Sequence, residues 1–159
     1  MDHLKLSIIT VTYNAEPFIE STLISVAEQT FTDYEHLIID GASDDTTLEV
    51  VKKYERNQLR VFSEPDKGLY DAMNKAIQKA KGEYIIFLNA GDVFYDEGTL
   101  TQVFTKSNGE DFIYGNTVVV GKGGKTRPYH KKKPDQSVVS YRSFINGMVI
   151  CHQSMIVRR

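Results

Sequence analysis

The sequence has a single cysteine, no tryptophan and only four prolines in 159 residues. One cysteine cannot form an internal disulfide, so a disulfide-stapled scaffold is excluded, and Cys151 is expected to be a small buried residue. No apolar run approaches the ~20 residues of a membrane span, and residues 1–5 lack the basic and apolar regions of a signal peptide. We therefore expect a cytoplasmic protein. The 41% apolar residues predict one soluble globular domain over residues 1–159.

Acidic residues are almost absent from the end of the chain. Residues 1–121 contain 10 basic and 20 acidic side chains, whereas residues 122–159 contain 9 basic and 1 acidic. The densest basic part, 122–133, begins among glycines and is predicted to be a solvated hairpin or loop. The alternative is a surface that contacts an anionic membrane or a phosphate-bearing acceptor. Nucleic acid is not an expected partner, because no RNA- or DNA-binding motif accompanies the charge.

Short β-rich runs alternate with helical patterns between residues 5 and 90. This alternation predicts an α/β fold with a mostly parallel, Rossmann-like central sheet and helices on both faces. Gly82 stands where the left-handed C-cap of the third helix is expected. A small antiparallel element is expected in the C-terminal part. The predicted strands are 6–13, 36–40, 60–63, 83–88, 112–114, 117–120 and 148–157.

Polar residues collect at the ends of the first four predicted strands. In an open parallel sheet, ligands bind outside the carboxyl ends of the strands. The sequence has no Gly-x-Gly-x-x-Gly, no phosphate-loop Gly-Lys-Ser/Thr and no Gly-x-Ser-x-Gly elbow. A diphosphate at such a carboxylate-lined edge requires a bridging divalent cation, and hard oxygen ligands favour Mg²⁺ or Mn²⁺. The polar residues are Tyr13, Asn14, Asp40, Glu64, Asp66, Asn89 and Asp92.

Several of these segments resemble family 2 glycosyltransferases in order and spacing. The resemblance implies the GT-A fold, a nucleotide-diphosphate sugar donor such as a UDP-sugar, a divalent metal and inversion at the anomeric carbon. It further implies a nucleotide-sugar-binding part in residues 1–95 and the start of an acceptor part in residues 96–159. One segment, 63–75, resembles the branch that contains colanic-acid-type and other surface-polysaccharide transferases, whose acceptors are glycans or lipid-linked sugars. The segments read SIITVTYN at 7–14, QTF at 29–31, IDGASDDT at 39–46, SEPDKGLYDAMNK at 63–75 and GEYIIFLNAGD at 82–92.

The resemblance also assigns roles to individual residues. It places Asp40 at the nucleobase, and Asp66 near the ribose or the donor sugar. Asp92 matches the last acid of the family's metal-binding motif, with the neutral Asn89 where the first acid is often found. Asp66 is also a common turn residue, and Asp71 suits the first turn of a helix, so structural roles are the alternatives. The full set expected at the donor is Thr12, Tyr13, Asn14, Asp40, Asp66, Asp71 and Asn89.

The acceptor part of the chain lacks an obvious general base. An inverting transferase needs a group that takes the proton of the acceptor hydroxyl. The only acid after Asp111 is Asp135, whose basic surroundings do not resemble the family's base motif. His152 is a candidate base, and we expect the chain to be truncated before the family's usual base. The alternative is a nucleotide-sugar-binding module without transferase activity. A nucleotidyltransferase is not favoured, because it would need a Gly-rich loop with a basic residue after the first strand.

Overall fold

The computed structural model describes residues 4–129 and 150–159. In this part of the chain, strands and helices alternate as the sequence predicts. The strands are β1 (Leu6–Thr12), β2 (Tyr34–Asp40), β3 (Leu59–Ser63), β4 (Tyr84–Phe87), β5 (Phe112–Tyr114), β6 (Val118–Val120), β7 (Thr126–Pro128) and β8 (Met155–Arg158). The helices are α1 (Glu16–Ala27), α2 (Thr47–Lys52), α3 (Leu69–Lys79) and α4 (Thr99–Lys106).

Six strands form the central sheet in the order β3-β2-β1-β4-β8-β5. The first four are parallel to one another, and β8 runs antiparallel to both β4 and β5. Every residue of β1 and β2 is buried, as expected for central parallel strands that are covered on both faces. The mostly parallel sheet predicted from the sequence is confirmed.

Helices cover both faces of this sheet. On one face, Ile8 and Ile38 pack with residues of α1, α2 and α4, including Leu23 and Leu100. On the other face, the small residues of α3 pack against β1 and β2, with Ala76 fully buried. None of the helices in the described ranges has the length and apolar character of a membrane span.

Gly82 does not cap a helix, so that prediction was wrong. Helix α3 ends at Lys79, and Ala80 continues in an extended conformation. A Cβ atom on Gly82 would lie 2.4 Å from the backbone nitrogen of Ser7 and 2.8 Å from the carbonyl oxygen of Tyr84. The glycine is therefore required by the close approach of the chain to β1 and not by a left-handed turn.

The last strand is shorter than predicted. Residues 148 and 149 lie outside the described ranges, and residues 152–154 form a 3₁₀ turn that leads into β8. The segment 148–157 is therefore not one continuous strand. This turn brings His152 and Gln153 to the end of β4, because β8 runs antiparallel beside that strand.

The basic segment begins in an antiparallel hairpin that is separate from the central sheet. Strands β6 and β7 pair through Val118 and Pro128 at one end and Val120 and Thr126 at the other. Every residue from 121 to 129 is exposed. The predicted solvated hairpin is thus confirmed for this part, while residues 130–133 lie outside the described ranges.

Candidate functional site

The carboxyl ends of β1, β2 and β3 place three polar residues side by side. Thr12 pairs with Asp40, and Asp40 pairs with Ser63, in the register of the parallel strands. The β1 end also lies next to the turn after β4, because β1 pairs with β4 on its other side. The predicted residues that follow these strands therefore share one edge of the sheet, as the topology requires.

Asp40 is completely buried, and its side chain is hydrogen-bonded within the protein. Its carboxylate accepts hydrogen bonds from the Ser43 hydroxyl at 2.5 Å, the Ser43 backbone N–H at 3.0 Å and the Ser63 hydroxyl at 2.6 Å. These three donors provide the compensation that a buried carboxylate needs. Asp40 thus ties the loop after β2 to the end of β3, and a direct contact with a nucleobase stays a prediction. The two serines were not identified from the sequence.

Tyr13 and Asp66 meet above the α-carbon of Gly41. A Cβ atom at Gly41 would stand 3.4 Å from Cδ2 of the Tyr13 ring and 2.6 Å from Oδ2 of Asp66. The other Asp66 oxygen accepts a hydrogen bond from the backbone N–H of Gly68 at 2.7 Å. Tyr13 is 63% exposed, so one of its ring faces is available to a flat ligand. The bare α-carbon of Gly41 lets both side chains lie close to the backbone here, which the sequence alone did not reveal.

Asn14 joins the loop after β1 to the loop after β2. Its side-chain amide donates to Asp44 Oδ1 at 2.7 Å, and its amide oxygen accepts the Asp44 backbone N–H at 3.0 Å. Asn14 has a φ of 46°, a left-handed conformation that asparagine tolerates better than most residues. Its side chain is thus engaged within the protein, and its predicted contact with the donor stays a prediction.

Asp71 is occupied at the beginning of α3. Its carboxylate accepts the Lys67 backbone N–H at 3.1 Å and lies 3.4 Å from the Lys75 ammonium group. The Lys67 hydrogen bond is the main cause that lowers the pKa of Asp71. These contacts agree with the structural alternative stated for Asp71, since they stabilise the first turn of the helix.

The turn after β4 is held by a buried threonine of α1. The Thr22 hydroxyl donates to the Asp92 carbonyl oxygen at 2.8 Å and accepts the Gly91 N–H at 2.9 Å. Gly91 has a φ of 94°, which favours glycine. The Asn89 side-chain oxygen is buried and has no hydrogen-bond partner within residues 4–129 and 150–159. Such an unpaired oxygen suits a ligand that the protein alone does not supply.

Asp92 lies between this turn and the segment before β8. Burial raises the pKa of the Asp92 carboxyl, and the nearby Gln153 amide and the charge of His152 oppose that rise. The His152 Nε2 atom is buried and makes no hydrogen bond to any described residue. The structure thus brings Asp92 and His152 together at the end of β4. The position of Gln153 near Asp92 was not predicted.

The end of β4 rests on a buried polar chain. The Thr10 hydroxyl donates to the Leu88 carbonyl oxygen at 2.7 Å, so it accepts its other hydrogen bond, of 2.9 Å, from Nε2–H of His36. Burial, with a smaller contribution from Arg56, lowers the pKa of His36 to about 3. His36 is therefore neutral near pH 7 and fixes Leu88, the residue before Asn89.

The oxygen atoms at this edge fit a hard divalent cation that is also coordinated by phosphate oxygens of a bound molecule. In the described part of the chain, no group of three or more His, Cys, Asp and Glu side chains could hold a metal ion by itself. Asp92 offers a carboxylate, and Asn89 offers an amide oxygen without a partner. Mg²⁺ and Mn²⁺ prefer such oxygen ligands, and Mg²⁺ sites commonly use one or two carboxylates together with phosphate oxygens.

Known proteins are similar to this chain in both amino-acid sequence and architecture. A PGL/p-HBAD biosynthesis glycosyltransferase of Mycobacterium bovis is 34% identical over 119 residues, which cover 71% of this chain and 46% of that protein. The UDP-Glc:alpha-D-GlcNAc-diphosphoundecaprenol beta-1,3-glucosyltransferase WfgD of Escherichia coli is 32% identical over 122 residues, which cover 76% of this chain and 48% of that protein. The chain thus spans less than half the length of these relatives.

The crystal structure of S. aureus TarS 1–349 in complex with UDP-GlcNAc is similar to this fold. It superimposes with a TM-score of 0.59 and 34% identity over 64% of this chain and 30% of that chain. The fold is thus the GT-A fold expected from the sequence resemblance. Residues 7–159 match the family described as Glycosyl transferase family 2. With this match over nearly its whole length, the chain belongs to glycosyltransferase family 2.

Proposed function

We propose that this chain binds a UDP-sugar at the carboxyl edge of its sheet and belongs to an inverting glycosyltransferase of cell-envelope polysaccharide synthesis. The observation that carries the proposal is the position of the exposed Tyr13 ring and the Asp66 carboxylate, which both lie close to the bare α-carbon of Gly41. A flat base packs on such a ring, while the carboxylate accepts hydrogen bonds from sugar hydroxyls. UDP is the preferred nucleotide because the TarS structure at 34% identity holds UDP-GlcNAc.

The diphosphate would lie toward Asp92, one strand away from Tyr13. Asp92 and the unpaired Asn89 oxygen would hold a Mg²⁺ or Mn²⁺ ion, which neutralises charge on the leaving diphosphate when bound. Thr12 lies between these two regions, and its buried hydroxyl has no hydrogen-bond partner in the described part of the chain. We therefore place the nucleoside over β1 and β2 and the phosphates over β4.

The transfer itself requires a base for the acceptor. In a single displacement, the acceptor oxygen forms a bond to the anomeric carbon as the bond to UDP breaks, and the acceptor proton passes to the base. Within this chain, the His152 Nε2 is the candidate, because it is buried and makes no hydrogen bond to any described residue. The acceptor is a glycan or a lipid-linked sugar, by analogy with WfgD, whose name specifies a diphosphoundecaprenol acceptor.

A release assay tests this proposal. The chain is incubated with UDP-glucose or UDP-GlcNAc and Mn²⁺, and the released UDP is measured with and without a diphosphoundecaprenol-linked sugar. We expect acceptor-stimulated release that Asp92→Asn abolishes. Release from neither donor, with UDP binding retained, would contradict the transferase proposal.

The second candidate is a donor-binding module, and one observation favours it. Among the described residues after Asp111, none is an Asp or Glu that could act as a carboxylate base. A binding module would bind UDP and the UDP-sugar with Mn²⁺ but release no UDP over hours. The assay above, with the lipid-linked acceptor present, therefore separates the two candidates.

We further propose that residues 122–133 contact an anionic membrane. In the described part of this segment, Lys122, Lys125 and Arg127 are exposed on the β6–β7 hairpin. Val118 and Val120 on the same hairpin are 42% and 66% exposed. Cations beside exposed apolar side chains favour binding at the headgroup layer of an anionic membrane. This contact would place the site at the inner face of the membrane, near a lipid-linked acceptor.

A further inference from the structure

Asn89 and Asp92, which the proposed function places at the metal, stand at the two ends of one tight turn. The Asp92 backbone N–H donates to the Asn89 carbonyl oxygen at 2.9 Å, which closes a four-residue turn. Gly91, the third residue, has a φ of 94°, a positive value that favours glycine at this position of a turn. The first and last α-carbons of a β-turn lie within about 7 Å of each other. The turn therefore holds the two candidate ligands at neighbouring backbone positions.

The side chain of Thr22 in α1 binds this turn from the protein interior. Thr22 is fully buried, and its hydroxyl donates to the Asp92 carbonyl oxygen at 2.8 Å. The same hydroxyl oxygen accepts the Gly91 N–H at 2.9 Å. The Asn89 carbonyl oxygen lies farther away, at 3.4 Å, and already accepts the Asp92 N–H. One buried hydroxyl thus fixes two peptide groups of the turn, one before Gly91 and one after Asp92.

The Thr22 hydroxyl serves the turn and not its own helix. Serine and threonine inside a helix often bond the carbonyl oxygen of the preceding helical turn. The neighbouring Ser21 does so, since its hydroxyl donates to the Phe18 carbonyl oxygen at 2.9 Å. The hydrogen bonds of Thr22 go to residues 91 and 92 instead. Alanine or leucine would favour the helix more than threonine does, so the contact with the turn is what this residue type supplies here.

The same face of α1 anchors the chain beyond the turn. The Ser25 hydroxyl accepts the Phe94 N–H at 2.8 Å. The Gln29 side chain donates to the Asp96 carbonyl oxygen at 2.7 Å. Residues 22, 25 and 29 are spaced so that they share one face of a helix. Of these three side chains, Thr22 is the one that is hydrogen-bonded to the turn itself, whereas the other two hold the chain that follows it.

We propose that Thr22 is a positioning residue that fixes the turn 89–92 so that Asn89 and Asp92 bind one metal ion together. This inference rests on the proposed function, in which these two residues hold the metal. Thr22 touches neither the metal nor the nucleotide in this proposal, because it acts through the backbone of the turn. Partners that orient metal-binding residues typically change metal affinity by about 10–100-fold when they are lost.

A titration of Mn²⁺ into the 159-residue chain at a fixed UDP concentration tests the proposal, with bound UDP measured by equilibrium dialysis. Thr22→Val keeps the shape of the side chain and replaces the hydroxyl by a methyl group. We expect the Mn²⁺ concentration at half-maximal UDP binding to rise about tenfold. Uridine carries no phosphate and needs no metal, so its affinity, measured by NMR in EDTA, should not change.

Ser7→Ala is the matched control at the opposite edge of the sheet. The Ser7 hydroxyl is also fully buried, donates one hydrogen bond, to Glu35 at 2.7 Å, and accepts a backbone N–H, that of Gly82, at 2.8 Å. Its removal should lower the melting temperature, as Thr22→Val does, but should leave the Mn²⁺ requirement unchanged. Thr22→Ser keeps the hydroxyl and should keep the Mn²⁺ requirement close to that of the wild type.

Gly91→Ala tests the geometry of the turn by a second route. A Cβ atom there would meet only the Phe18 side chain, at 3.5 Å, so the positive φ is the main obstacle to the substitution. We expect the Mn²⁺ requirement to rise here as well. An unchanged requirement would overturn the proposal even if Thr22→Val did not fold, because the shape of the turn would then not matter for the metal.

The outcomes separate this inference from the proposed function. An unchanged Mn²⁺ requirement in Thr22→Val, beside a wild type that binds, would overturn the positioning role alone. An equal loss of uridine and Mn²⁺–UDP binding would also overturn it, because that result would show a general structural effect. A wild type that binds no UDP with Mn²⁺ would overturn the proposed function and this inference with it.

Discussion

Asp66 closes over the bare α-carbon of Gly41, with its Oδ2 atom 2.6 Å from the place where a Cβ atom would stand. A methyl group at this position would push the carboxylate aside and touch the Tyr13 ring. The carboxylate is the far end of a flexible side chain, so it can move at little cost to the stability of the fold. The positions of the two side chains that we assign to the nucleoside thus require the absence of a Cβ atom at residue 41.

Gly41→Ala should therefore weaken UDP binding more than it destabilises the protein. We expect at least a tenfold loss of affinity by calorimetry, with a change of less than about 1 kcal/mol in the free energy of unfolding. Gly115→Ala is the matched control, because a Cβ atom there meets nothing within 4 Å. Unchanged UDP affinity in Gly41→Ala would contradict the placement of the nucleoside.

Gly82→Ala should have the opposite profile. Its new methyl group would stand 2.4 Å from the Ser7 nitrogen and 2.6 Å from the Leu6 carbonyl carbon, which are backbone atoms of β1. Backbone of a central strand cannot move aside locally, so we expect a destabilisation of about 3 kcal/mol or more. Urea unfolding measures it, and a loss below about 1 kcal/mol would show that the close approach is absent.

His36 should make the stability of the protein depend on pH. Its pKa falls to about 3 in the folded protein, from 6.5 in the unfolded chain. Between these values the unfolded chain binds a proton that the folded protein does not, so stability falls as the pH falls below 6.5. The expected loss at pH 5 is about 2 kcal/mol relative to pH 8.

The comparison with His36→Gln isolates this contribution from that of the carboxylates. The variant is less stable at every pH, but its free energy of unfolding should fall less between pH 7 and pH 5 than that of the wild type. Urea unfolding at four or five pH values gives both slopes. Equal slopes would mean that His36 is not buried as a neutral group.

Binding to anionic vesicles should depend on the β6–β7 hairpin. A double variant, Lys122→Gln with Lys125→Gln, should weaken binding to phosphatidylserine-containing vesicles by about 30-fold, since each cation contributes about 1 kcal/mol near such a surface. The matched control is Lys52→Gln with Lys53→Gln, at exposed positions that lie far from the hairpin in the sequence. Vesicle sedimentation that is equal for the two double variants would contradict the membrane contact.

The strands were predictable where one physical signal dominated. The apolar runs of β1, β2 and β4 require burial on both faces, and the structure confirms the parallel core that they imply. The role of Gly82 was mispredicted because a glycine after a helix is compatible with two roles, a left-handed helix cap and a close approach to another backbone segment. Only the position of β1 relative to residue 82 decides between them.

The candidate site was predictable as a set of strand ends but not as a set of contacts. Sequence order placed Asp40, Asp66 and Asp92 at one edge, since parallel strands end together. It could not show that Ser63 would donate a hydrogen bond to Asp40, or that Gln153 would lie near Asp92 from a distant part of the chain. Those contacts depend on the register of β3 and on the antiparallel pairing of β8, which are long-range features.

The most direct test of the central claim is a calorimetric titration of the wild-type chain with UDP, with Mn²⁺ and then with EDTA. The account predicts micromolar binding that requires the metal and that Asp92→Asn removes. A folded chain that binds no UDP under either condition would contradict the assignment of the carboxyl edge as a UDP-sugar site.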